Sequence, residues 1–466
     1  MDYPIFDAPR LGGGLLIAAV AVVHVVIAHF AVGAGIYNAV SHTIALRRRD
    51  AVLLAFIKRN SKFLVLFAFV AGAVSGVGIW FAIGVVSPRA TAILIRNFLW
   101  GWATEWVLFL VEIVSGYVYY YGWDRMPARR HLIVGWIYAV AAWLSLVVIN
   151  AILTYMLSAS TWTTNQFWGA FFDPTYWPSL ILRTVSGLAL AGLFALIVVN
   201  LQRSRPVSGS AEPDREEIER EAHDAVWYAG AFDRAQRARI VRYSATYLVP
   251  IVLMLPAAAW WFYGLPAESR TLVFGGAIAI TLFFVFGVVA SVFIALYAYF
   301  GLIRGKLTVN LHTAFLLASL AFVATGSMEF VREGIRKPYV INGVIYSNQI
   351  TPREGRLMDR EGFFAADQNG HYKYARFLAW GRDVEDLTPA ERGRLIYRGQ
   401  CLPCHVDGGL NDLGPLIRDW RPQTMDFAFA RLHELKRFMP PFFGTQRDRA
   451  DLIAFCTERY AAESSP

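Results

Sequence analysis

Eight apolar runs constrain this 466-residue chain more than any other feature. Each holds roughly 20 residues or more, the length at which an α-helix crosses the ~30 Å hydrocarbon core of a bilayer. They lie near 12–45, 63–87, 97–122, 132–158, 177–201, 244–264, 272–303 and 309–331. Inside lipid a backbone must satisfy its own hydrogen bonds, so such runs fold as helices. The expected architecture is all-α, a polytopic membrane bundle of about eight transmembrane helices followed by a small soluble domain. The first and seventh runs are long enough to tilt or protrude. Composition agrees: 56% of residues are hydrophobic, mean hydropathy is +0.41, and 15 Trp suit interfacial aromatic belts.

The loops set an orientation. Arg47, Arg48, Arg49, Lys58, Arg59 and Lys62 separate runs one and two, and Arg125, Arg129 and Arg130 separate three and four. The polar, Arg-rich segment 202–243, expected as a cytoplasmic helical hairpin or loop, separates five and six, and Arg304 and Lys306 separate seven and eight. The intervening loops are poor in cations; "SASTWTTNQFWGAFFDPTYWPS" has none. By the positive-inside rule the cationic loops face the cytoplasm, so both termini face the periplasmic side of a bacterial inner membrane. A pI near 9.4 would otherwise suggest nucleic acid; topology accounts for the charge, and no nucleic-acid partner is expected. "MDYPIFDAPR" lacks a basic stretch followed by a short apolar core, so no cleavable signal peptide is expected. The organisation read from these features is a transmembrane domain over 1–335, an extracytoplasmic linker over 336–384 and a small helical domain over 385–466.

That last domain opens on "YRGQCLPCHVDGG". Cys401, Cys404 and His405 form C-x-x-C-H, the attachment signature of a c-type haem: two thioethers to the vinyl groups and a proximal imidazole. A zinc half-site is the competing reading, and no second cysteine pair follows to complete one. The sixth ligand is expected on a downstream loop. "RFMPPFFGT" supplies Met439 and resembles the sixth-ligand loop of class I cytochromes c; Met425, the other methionine of the domain, precedes an amphipathic stretch and reads as core. "TPAERGRLIYRGQ" and "DRADLIAFCTERY" resemble the first and last helices of that fold, with Cys456 packed in the last helix and not redox-active.

Ionisable side chains inside apolar runs are functional hypotheses. Here they are His24 and His29 in run one, Glu105 and Glu112 in run three, Arg183 in run five, and Glu329 and Glu333 at the outer end of run eight. His42, His131 and His312 lie near cytoplasmic ends and read as solvated. His24 sits at a depth suited to a haem ligand. His29 lies roughly 140° further round the helix, so one haem cannot easily use both; packing histidines are the alternative for either. Glu105 and Glu112, seven residues apart, share a helix face and read as a proton path or haem-side pair.

"FLVEIVSGYVYYYGWDRM" (109–126) resembles the third helix of the large subunit of cytochrome bd quinol oxidases. "VVHVVIAHFAVGAGI", "FVAGAVSGVGIWFAIG" and "FVREGIRKPYVI" resemble, in order, that family's first helix, its second helix and the helix end with its haem-ligating Glu; the similarity covers roughly 10–345. The resemblance implies a bd-type membrane fold, haem b and/or haem d, and a second membrane subunit. It implies that His24 ligates haem iron, that Glu333 ligates a high-spin haem, that Arg336 pairs with a propionate, and that Glu112 and Glu105 are the third-helix glutamates.

The departures redirect the reading. Arg183 in "ILRTVSGLAL" stands where the family has a haem-ligating His, no Met occurs in run seven, and the quinol-binding loop is cut to "GLPAESR". The resemblance thus argues against a low-spin b haem and the usual quinol site. Arg183 is read as a propionate clamp or as a structural cation paired with a glutamate. The expected function is a membrane respiratory haem protein, a bd-like oxygen reductase. It takes electrons from a periplasmic carrier or partner cytochrome through one covalent haem c, and Glu105 and Glu112 feed protons. The alternative is a non-catalytic electron-transfer subunit relaying between periplasm and quinone or a partner. A haem-free anchor displaying a cytochrome c is the third, disfavoured by the joint presence of His24, Glu112 and Glu333.

Overall fold

The computed structural model describes residues 4–159, 167–201, 232–305, 309–375, 377–379 and 381–461. Most of the expected cytoplasmic segment 202–243, up to residue 231, lies outside the described residues, as do Lys306 and residues 160–166 of the cation-free loop.

Among the described residues, seven helices are long and apolar enough to cross a membrane, or eight if one bent pair is a single span. They are α1 (Gly12–Arg48), α2 (Ala51–Val86), α5 (Ala128–Ser158), α6 (Tyr176–Asn200), α7 (Arg234–Gly264), α8 (Ile278–Ile303) and α9 (Leu311–Gly334). The bent pair is α3 (Pro88–Asn97) and α4 (Leu99–Tyr121), which meet at 86°. α4 is the expected third run; Pro88 at the first turn of α3 starts a short helix that lies across the bundle end. The expected long seventh run is broken. Residues 272–276 form a distorted turn in which Gly275 takes φ +92°, so the straight helix begins at Ile278.

Small residues set how closely the helices approach. A Cβ on Gly33 of α1 would collide with the backbone of Gly187 in α6, so this crossing packs backbone on backbone, as small residues allow in membrane bundles. Around it, Phe30, Ala34 and Tyr37 of α1 join Leu190, Leu193 and Leu196 of α6 in the largest core.

After α9 a short hairpin, β1 (Tyr339–Ile341) and β2 (Ile345–Tyr346), packs Ile341 and Ile345 against Leu94 of α3 and Ile152 and Tyr155 of α5. The stretch read as a linker carries α10 (Pro352–Glu361), held by a Thr351–Glu354 capping box. Its Met358 and Phe363 enter the same core as Leu395, Ile396, Leu452 and Phe455. So residues 346–384 pack as part of the C-terminal unit. That unit also contains α11 (Pro389–Gln400), α12 (Pro422–Phe429) and α13 (Gln446–Ala461). α11 and α13 cross where a Cβ on Gly393 would meet the Asp451 carbonyl, and Arg392 grips the Asp451 carboxylate through Nε (2.7 Å) and Nη2 (2.9 Å).

The unit sits on one end of the bundle. Leu410 N donates to the Arg10 carbonyl just before α1 (2.8 Å), Arg89 at the start of α3 donates to the Gln349 carbonyl (2.7 Å) and pairs with Glu354, and Asn342 N donates to the Met156 carbonyl near the end of α5 (3.0 Å). Arg47, Arg48, Arg125 and Arg304 lie at the opposite helix ends.

Candidate functional site

The C-x-x-C-H stretch is a tight turn off the end of α11. Cys401 N and Leu402 N both donate to the Tyr397 carbonyl (2.8 and 2.9 Å), and Cys404 N and His405 N donate to the Cys401 carbonyl (3.0 and 2.8 Å). This winding puts Cys401, Cys404 and His405 on one turn, with both thiols free and half-buried. Burial, then the neighbouring Cys404, push the Cys401 thiol up to about 12, so it stays protonated at neutral pH. His405 donates Nδ1–H to the Asn411 carbonyl (2.7 Å), and the Tyr397 hydroxyl donates to the His405 carbonyl (2.6 Å). A ring fixed through Nδ1 presents Nε2 for a metal, the arrangement that orients ligating histidines. Between His405 and Met439 the chain leaves Leu410, Leu416, Trp420, Phe427 and Leu435 each more than a third exposed. So much uncovered apolar surface on a small unit fits a flat apolar macrocycle. Met439 is half-buried, whereas Met425 (3% exposed) and Cys456 (0%) lie in the core. Phe438, beside Met439, packs against the apolar cluster formed by Leu157, Leu265, Leu272, Val273, Ile280, Val331 and Ile335.

On α9 the pattern Glu329-x-x-Arg332-Glu333-x-x-Arg336 places four charges along one face at i, i+3 and i+4 spacing. Arg332 donates to Glu329 Oε1 from Nε (2.9 Å) and Nη2 (2.5 Å) and to Glu333 Oε1 (2.8 Å); Arg336 pairs with Glu333 Oε2 and donates to the Val340 carbonyl (2.7 Å). Deeper in the bundle Arg183 reaches the buried His29 Nε2 (3.5 Å) and Ser179 Oγ (3.4 Å), and interacts electrostatically with Glu329. Arg332 Nη1, Arg336 Nε and His29 Nδ1 are buried without a hydrogen-bond partner. The unfilled donors of Arg332 and Arg336 fit an anionic group such as a propionate. His24 is half-buried on α1 with Nδ1 on Ser75 Oγ (3.1 Å), so it too is oriented through one nitrogen. No described contact joins His24 to Glu333. Among the described residues no three His, Cys, Asp or Glu side chains converge as a metal site.

Glu105 and Glu112 face α5. Glu112, buried, interacts with Tyr138, whose hydroxyl donates to the Ala31 carbonyl (3.2 Å), and Ser145 donates to Glu105 Oε1 at 3.5 Å. In the last turn of α4, Tyr119 meets His42 and His131, and all three are under 4% exposed. The sequence reading of both histidines as solvated is therefore corrected. Arg332, Tyr138 and this histidine pair are the residues that sequence reasoning passed over. The heptad Glu105–Glu112–Tyr119 and the i, i+3 charges on α9 were the signals available.

Fold and buried groups together define a multi-pass helical membrane protein with an ionisable interior. Residues 15–235 match the family model described as cytochrome bd terminal oxidase subunit I. Among solved structures, the bd oxidase from Geobacillus thermodenitrificans shares the fold with a TM-score of 0.56 at 15% identity, over 72% of this chain and 89% of that one. The family match spans just under half of this chain, and the likeness to the solved structure is one of fold. No curated protein sequence matches. His24, Glu105, Glu112 and Arg183 lie within the family match; Glu333, Arg336 and the 401–405 motif lie beyond it.

Proposed function

We propose that this chain is the large subunit of a membrane respiratory oxidase, an O2-reducing oxidoreductase that draws electrons from a periplasmic carrier through a covalent haem c instead of from quinol. One observation carries the reading: the unit bearing the oriented His405 packs, through Phe438 beside Met439, onto the apolar cluster that includes Val331 and Ile335, at the end of the helix that bears Glu333. The haems, when bound, supply one-electron transfer and the binding of O2. Cys401 and Cys404 anchor the covalent group, and His405 and Met439 hold its iron. His24 and Glu333 hold iron in the membrane, and Arg336 holds a propionate. Glu105 and Glu112 deliver protons. A second membrane subunit and the bilayer cover the apolar faces of α4 and α8, where Trp106, Leu110, Phe286 and Val289 are more than half exposed. The termini face the periplasm.

The relay reading, without gas chemistry, is favoured by one feature. Both carboxylate oxygens of Glu333 are already held by arginines. Oxygen uptake separates the two. The purified complex should consume O2 with a reduced soluble cytochrome c at least about tenfold faster than with a quinol, a barrier difference of roughly 1.4 kcal/mol. Robust quinol-driven uptake, or none with the carrier, defeats the proposal.

A further inference from the structure

We propose that His42, Tyr119 and His131 form the inner mouth of a proton relay that runs between α4 and α5 to Glu112 and Glu105. The inference rests on the reading of those two glutamates as proton carriers.

The geometry is a ladder. On α4, Glu105, Glu112 and Tyr119 recur every seven residues and so keep to one face. On the antiparallel α5, His131, Tyr138 and Ser145 recur at the same interval, and each meets its counterpart. Ser145 donates to Glu105 (3.5 Å), Tyr138 interacts with Glu112 while its hydroxyl donates to the Ala31 carbonyl (3.2 Å), and His131 donates Nε2–H to the Tyr119 carbonyl (2.7 Å). Successive rungs lie ~10.5 Å apart along the axis, so the ladder spans about two thirds of the apolar core. Ser115, buried on α4, stands between the inner and middle rungs. The relay needs bound water to bridge the gaps between rungs.

The inner rung has a third member. His42 of α1 hydrogen-bonds the Tyr119 hydroxyl through Nδ1 (3.1 Å) and lies 5.2 Å from the His131 ring, centroid to centroid. Trp123 stacks on His42 (5.1 Å) and donates to Ser61 Oγ (3.0 Å). Asp124 acts electrostatically on His131 and pairs with Lys58, and this pair is exposed. The charged and titratable groups facing the rung are thus Lys58 from α2, Asp124 after α4, and the two histidines. A surface ion pair, two imidazoles and a phenol lead inward in that order. A proton taken up at one imidazole nitrogen of His42 leaves from the other to the Tyr119 oxygen, whose own proton moves on. No bond other than O–H and N–H changes, and no electron moves. His131 also has a structural task, since it satisfies a carbonyl in the last turn of α4, so Tyr119 and His42 are the residues to test.

Infrared spectroscopy of the intact complex, transferred from H2O to D2O, reads the relay without turnover. The carboxylic-acid band of Glu112 is identified by its loss in Glu112→Gln. Tyr119→Phe and His42→Gln, each with an unchanged haem spectrum, should slow its deuterium shift by at least about tenfold, a threshold below the roughly 10²-fold that a proton-transfer group typically contributes. Shifts as fast as wild type in both variants overturn the inference, as does a wild type with no protonated Glu112 band at neutral pH. If exchange slows while the wild type consumes no O2, the relay stands and the oxidase reading falls.

Discussion

Two buried rows of ionisable side chains handle charge in opposite ways. The α9 row interleaves signs, Glu329, Arg332, Glu333 and Arg336, and Arg183 approaches from α6. The α4–α5 row holds two glutamates that act electrostatically on each other, with Ser145 and Tyr138 as partners. In a medium that solvates charge poorly, a carboxylate needs a cation or a proton. The first row has its cations, so its charges can stay fixed and position an anionic group. The second row relies on hydroxyls, so its groups can take up and release protons. Fixed charge suits anchoring, and exchangeable protons suit transport.

Breaking the comparison begins with the first row. Glu329→Leu leaves Arg183 and part of Arg332 uncompensated, and should destabilise the protein by about 3–5 kcal/mol, the usual cost of removing one partner of a buried pair. Thermal unfolding in detergent measures this, and a melting point equal to wild type would falsify the role of the row. Glu112→Gln should do the reverse. It keeps shape and hydrogen bonding, so stability should stay within about 1 kcal/mol, while O2 turnover falls by roughly 10²-fold or more. Equal losses of stability from both variants would erase the distinction between the rows. Glu105→Gln should lower turnover less, since Glu105 is only half-buried and its contact to Ser145 is long. The smallest change is expected from Met439→Ala: covalent haem persists on a denaturing gel, and its reduction potential drops because the thioether ligand is gone. An unchanged potential would move that role to another group.

How much of this was legible in sequence differed by scale. Apolar runs located the spans because a bilayer imposes a single length on them. The 86° corner at Phe98 and the break at Gly275 escaped because hydropathy averages over a window and does not see one residue's backbone. The stretch after α9 looked like a linker from its Gly, Asn and charges, although the Thr351–Glu354 capping box marked a helix there. The C-x-x-C-H turn was visible because its chemistry is contiguous. The α9 charges were visible one by one, and only i, i+3 geometry joins them. His42 and His131 looked solvated because they sit near helix ends. Their burial comes from Trp123 and Tyr119 folding over them, a contact between α1, α4 and α5 that no local pattern encodes.

In the proposed function a covalent haem on residues 401–405 feeds iron held in the membrane part. A reduced-minus-oxidised spectrum of the purified complex, taken with and without CO and followed by extraction of non-covalent haem, tests it most directly. The account predicts one covalent c-type haem, extractable haem in addition, and a CO-sensitive high-spin component, as expected where the weak carboxylate ligand Glu333 leaves iron open to a small molecule. His24→Ala should remove one extractable haem and leave the covalent one, and Glu333→Ala should alter the CO-sensitive component alone. A spectrum showing c-type haem only, with nothing extractable from the intact complex, would contradict the claim and leave the α9 charges as a packing network.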